Sequence, residues 1–126
     1  MSGDKRPLIL IADRQLGTFL SLESLLSLEG YRVTPCASSF AVQKSVARQR
    51  PDLVIAGRVG PESPPALVSH IKAQSPATSV LLLMESGDAS LVAQAIAVGA
   101  DALLSRPCTE RQVIEQVNRL LKLIPA

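Results

Sequence analysis

The sequence is poor in the side chains that carry most recognisable chemistry. Aromatic residues make up 2% of it (Phe19, Tyr31 and Phe40), and tryptophan is absent. Stacking of single-stranded nucleic acid needs exposed aromatic platforms, so that scarcity counts against it. There is one histidine, His70, and two cysteines, Cys36 and Cys108, with no metal-like spacing around them, which excludes a zinc site. No apolar run approaches the ~20 residues needed to cross a bilayer. The opening MSGDKRPLILIAD is too short and polar for a signal peptide. A cytoplasmic protein without membrane contact is expected. Charge of one sign is lacking too: 13 basic and 11 acidic residues are scattered along the chain, for a net +2. Direct nucleic-acid binding would need a basic face or a helix-turn-helix pattern, and neither is present.

What the sequence does have is aliphatic side chains. Hydrophobic residues account for 47% of 126 positions, far too many for a disordered tail. A chain of this length buries about two-thirds of its unfolded surface and needs no staples. Leu8 to Ala12 (LILIA) is a continuous apolar run ended by Asp13, the pattern of a strand buried on both faces of a parallel sheet. Leu16 to Leu28 turns helical, with Gly30 as its stop. Tyr31 to Ala37 alternates, and Pro35 confines that strand to a sheet edge. Ser39 to Gln49 is a helix broken by Arg50-Pro51, and Asp52 to Gly57 a short strand. After a Gly- and Pro-rich loop, Ser63 caps a helix from Pro64 to Gln74. Ser79 to Met84 is the most apolar strand. Asp88 caps a helix from Ala89 to Val98, and Asp101 to Ser105 is a last strand. Thr109 and Gln112 then open an amphipathic helix with a capping box. Five strands alternating with five helices predict one α/β domain over residues 1–126, its core about 7–124, with a parallel sheet covered on both faces.

In such sheets ligands sit beyond the carboxyl ends of the strands, which singles out Asp13 and Arg14, Gly57 and Arg58, Met84 to Ser86, and Arg106. With LILIAD, EGYRV, RPDLVIAG, SVLLLM and AVGADALLSRP in place, the chain resembles the receiver domains of two-component response regulators along essentially its whole length. The resemblance implies a flavodoxin-like (CheY-like) (βα)5 three-layer sandwich with strand order 2-1-3-4-5. It also implies bacterial phosphorelay signalling, in which two acidic residues and an acceptor Asp hold Mg²⁺. A Ser or Thr and a Lys then contact the phosphoryl group. This sequence departs from that pattern. Asp13 matches the first acid, but the second position is Arg14, the acceptor position is Gly57, the Ser/Thr position Met84 and the Lys position Arg106. The aromatic that reports phosphorylation is replaced by Leu103. One carboxylate beside two guanidinium groups carries about +1 and suits no Mg²⁺. A degenerate receiver is expected: no enzyme, no cofactor, no metal, acting as a phosphorylation-independent interaction module. The alternative is an atypical receiver that is still phosphorylated, or that binds a small anion at the strand ends.

Asp13 is expected to pair with Arg14, Arg58 or Arg106. Asp52 lies at the wrong end of its strand to replace the acceptor, whereas Ser86 and Glu85 lie just past Met84. His70 reads as a solvated helix residue. The family's strand order puts Cys36 and Cys108 near opposite sheet edges, about 19 Å apart by four strand spacings, beyond the ~7 Å reach of a disulfide. Receivers of this family often dimerise or bind targets through the fourth helix, fifth strand and fifth helix. By that resemblance Gln94, Asp101, Arg111, Glu115 and Arg119 form a candidate interaction face for another protein or a second copy, with Asp101 and Arg119 as an inter-subunit pair.

Overall fold

The computed structural model describes residues 5–13, 20–61, 63–85 and 89–122. Strands and helices alternate as β1 (Leu8–Ala12), α1 (Leu20–Leu28), β2 (Arg32–Cys36), α2 (Ser39–Gln49) and β3 (Leu53–Ala56). They continue as α3 (Pro64–Gln74), β4 (Ser79–Glu85), α4 (Ala89–Ala97), β5 (Ala102–Arg106) and α5 (Glu110–Lys122). All four strand pairings are parallel and the sheet order is β2-β1-β3-β4-β5, the flavodoxin-like arrangement of CheY-like domains.

The unbroken apolar runs follow from where the strands lie. Every residue of β1 and β3 is buried, and successive side chains point to opposite faces. Leu10, Ala12, Val54, Val80 and Leu82 pack with α2, α3 and Ala95 of α4. Ile9, Ile11, Leu53, Ile55 and Leu81 pack with Leu22 and Leu26 of α1 and Val113 and Val117 of α5. Each fully buried Leu, Ile or Val stabilises the fold by about 1.5–3 kcal/mol.

Local signals set the element ends. Pro35 sits opposite Ile11 on edge strand β2, exposed, where a missing N–H leaves no ladder bond unmade. Ser63 accepts from Ala66 N at 3.3 Å with Pro64 in the first turn. Thr109 N donates to Gln112 Oε1 at 2.8 Å while Gln112 N donates to Thr109 Oγ1 at 3.1 Å, the reciprocal capping box.

Several boundaries differ from expectation. β4 runs one residue further, to Glu85, and β5 is Ala102–Arg106 rather than Asp101 to Ser105. Asp101 lies just before β5, its N–H donating to Val80 O at 2.9 Å and its carboxylate accepting from Val80 N at 2.8 Å. Asp52 is likewise outside β3 and accepts from Leu8 N at 2.8 Å, which confirms its place at the amino end of the sheet. α4 ends at Ala97, and β2 is shorter by a residue at each end. The expected helix start at Leu16 and the Asp88 cap lie outside the described residues. Cys36 is buried, Cys108 half-buried, and both are free, on strands at opposite sheet edges or just beyond. His70 is exposed on α3. Among the described residues no helix is long and apolar enough to cross a membrane.

Candidate functional site

The carboxyl ends of β1, β3, β4 and β5 converge on a cleft of about 260 Å³ lined by Asp13, Arg58, Pro64, Leu83, Met84, Glu85 and Arg106. Backbone bonds continue the ladders into it. Asp13 N donates to Cys36 O at 3.1 Å, and Gly57 N donates to Ala12 O at 2.7 Å. Glu85 and Arg106 are register partners at the end of the β4–β5 pair, as are Met84 and Ser105 one residue earlier. Asp13, Gly57, Met84 and Arg106 are thus brought together at the strand ends. Arg14 and Ser86 lie outside the described residues.

Among the described residues, Arg106 contacts Asp13. Its Nη2 lies 2.5 Å from Asp13 Oδ2, with the Asp13 side chain only 5% exposed and that of Arg106 22%. Arg106 Nε also approaches Glu85 Oε2 at 4.0 Å, with Glu85 77% exposed. The pair is more sheltered than a surface ion pair on its Asp13 side, where removing the guanidinium weakens the compensation of a buried carboxylate. Arg58 lies exposed at the rim. Gly57 stands directly beneath the pair, because a Cβ built on it would collide with Asp13 Oδ2 and lie 3.0 Å from Arg106 Nη2. Leu103, opposite Leu82 on β5, packs partly buried against the α2–α3–α4 side of the core. Glu85 was the residue the sequence understated: β4 carries it one place past the apolar run, into reach of Arg106. Among the described residues no three His, Cys, Asp or Glu side chains cluster as a metal site would require.

The family model of the response regulator receiver domain matches residues 9–118. The chain belongs to the response regulator receiver domain family. The receiver fold is shared with a two-component response regulator from Clostridium difficile (TM-score 0.86, 15% identity, 96% of this chain and 100% of that one). It is also shared with a CheY-like receiver domain protein from Methanospirillum hungatei (0.84, 18%, 91% and 93%). The receiver domain of NtrX from Brucella abortus is similar as well (0.81, 22%, 92% and 99%). No curated protein gives a significant sequence match.

The residues assigned to an interaction face are spread across this receiver. Asp101 is held within the chain, its Oδ2 2.9 Å from Lys72 Nζ. Arg119 donates to Gln116 Oε1 at 2.6 Å, and Gln94 donates to Ser90 Oγ at 3.3 Å. Arg111 and Glu115 pair at 3.6 Å on the exposed side of α5. They also line a groove of about 550 Å³ with Leu25 of α1 and Ile114. α4 covers the opposite face of the sheet from α5. It carries no charged residue in nine, only Ala95 is buried, and Ile96 is 58% exposed.

Proposed function

We propose that this receiver domain is a phosphorylation-independent protein-interaction module of two-component signalling, formed by the whole chain as one cytoplasmic, non-enzymatic unit that binds no nucleic acid. The observation that carries the reading is the Asp13–Arg106 pair lying directly over Gly57. In an active receiver that space belongs to an acceptor carboxylate and Mg²⁺. Here position 57 supplies no side chain, and Asp13, the one buried carboxylate among the described residues, already faces a guanidinium. Mg²⁺ wants several hard oxygen ligands in near-octahedral geometry. Asp13, Met84 and Arg106 do not make such a set, so the residues do not fit the ion. Leu103, with neither hydroxyl nor ring, is equally unsuited to report a phosphoryl group.

The interaction surface is best assigned to α4 and the adjoining β5 edge, with α5 as its far border. An uncharged helix with Ile96, Ala93 and Ala97 toward solvent suits a protein partner or a second copy better than it suits water. Intact mass after acetyl phosphate and Mg²⁺ tests the first half, and no added phosphoryl group is expected. One added group would return the domain to the working switches. Ile96→Asp tests the second half: it should abolish capture of the partner, or self-association, while leaving the melting temperature unchanged.

A further inference from the structure

Position 57 raises a separate question of why the residue is glycine at all. Gly30 and Gly99 have φ of 98° and 106°, conformations that suit glycine and strain other residues. Gly57 is not in that region, so its backbone would accept any residue. What demands glycine is space. The nearest atoms to an added Cβ are Asp13 Oδ2, Arg106 Nη2 at 3.0 Å and Asp13 Cγ at 3.1 Å, the two halves of one ion pair.

Strand order explains why the pair lies there. β3 and β4 separate β1 from β5 in the sheet. An arginine at the end of β5 therefore reaches an aspartate at the end of β1 only by laying its side chain over the ends of both intervening strands. At β4 it passes Glu85, whose carboxylate is 4.0 Å from Nε. At β3 it passes Gly57, which offers nothing to obstruct it. Four strand ends thus contribute one element each: a carboxylate, a clearance, a flanking acid and the arm that crosses them.

We propose that Arg106 is a permanent internal tie that holds the end of β5 to the end of β1, and that Gly57 is glycine so that the tie can pass over β3. The tie is a conformational device: it fixes the carboxyl end of β5 in one arrangement, separately from the α4 surface assigned to a partner. It stands whether or not that surface binds a partner. The design also makes the cost of a side chain at 57 conditional. Asp13 Oδ2 sits at the end of a short side chain with a rotatable χ1, and it overhangs Gly57 where it meets Arg106 Nη2. With the guanidinium removed, Asp13 is able to turn aside and a methyl group fits.

Thermal unfolding of the full chain and of Gly57→Ala, Arg106→Ala and the double variant tests this as a double-mutant cycle. Gly57→Ala should lower Tm by roughly 5 °C when Arg106 is present, and by less than half of that in the Arg106→Ala background. Equal losses in both backgrounds would overturn the proposal. If Arg106→Ala does not fold, Asp13→Asn takes its place in the cycle with the same expectation. Amide hydrogen exchange of Asp13→Asn supplies a readout that general destabilisation does not imitate. Exchange at residues 102–106 should quicken on the order of tenfold relative to β2, whereas a uniform change across the sheet would sink the idea.

Discussion

Lys72 of α3 and Asp101, in the turn before β5, meet at 2.9 Å at the end of the sheet opposite the cleft. Lys72 Nζ also donates to Thr78 O at 2.7 Å, and Asp101 Oδ2 accepts from Val80 N at 2.8 Å. The pair therefore staples a helix to the start of two strands. Asp101→Ala strands the Val80 amide and removes one acceptor of Lys72, and should cost about 1–3 kcal/mol. Urea unfolding should show that loss at every protein concentration. A loss that appears only in a self-associated form would instead favour the inter-subunit role that the family resemblance suggested for Asp101.

Tyr31 is buried, and its hydroxyl donates to Asn118 Oδ1 at 2.6 Å, joining α5 to the start of β2. Tyr31→Phe should destabilise the domain by about 1 kcal/mol. Burial, and then the nearby Glu29 charge, raise the Tyr31 pKa above its ordinary 10.0. A raised folded pKa means that the unfolded chain releases this proton first. The contribution is therefore complete below about pH 10 and is lost as pH rises through the folded value. Melting curves from pH 8 to 11 should show the gap between the wild-type chain and Tyr31→Phe narrowing only at the alkaline end.

The two thiols should differ in reactivity. Burial raises the Cys36 pKa, while its contact with Ser45 Oγ at 3.7 Å works weakly the other way. Thiolate is the reactive species, and Cys36 is also shielded from reagent. An aromatic disulfide reagent at pH 8 should modify half-buried Cys108 first and Cys36 only on unfolding. Two equal fast phases would contradict the burial of Cys36.

The capping box at the start of α5 should be worth a measurable amount. Thr109→Ala leaves Gln112 N without its acceptor and should cost about 1 kcal/mol, read from urea midpoints, with Thr109→Ser close to neutral. An unchanged alanine variant would mean that water replaces the cap.

Much of this fold was legible because its signals are local. LILIA, with no polar position in five, is what burial on both faces requires. Pro35 marks an edge strand, and Ser63-Pro64 and Thr109 with Gln112 mark helix starts, through bonds spanning three residues. The site was legible by position but not by contact. Nothing in the spacing of Asp13, Arg58 and Arg106 says which arginine reaches the carboxylate, because that depends on which strand ends the side chain must cross. Glu85 was undervalued for a related reason: an apolar run gives no sign that its strand continues into one charged residue. Asp101 was read as a partner of Arg119 across an interface, because its pairing with Lys72 exists only once α3 lies beside the turn before β5.

The sheet also works as a partition. Odd and even residues of one strand belong to different neighbourhoods, Ile9 and Ile11 on one side, Leu10 and Ala12 on the other. Side chains on the two sides do not touch through the wall of backbone. A damaged contact beneath α1 or α5 must therefore be repaired from that same side. Each side of the sheet therefore answers for its own packing, and the crossing of Arg106 to Asp13 at the strand ends is a link that the wall does not interrupt.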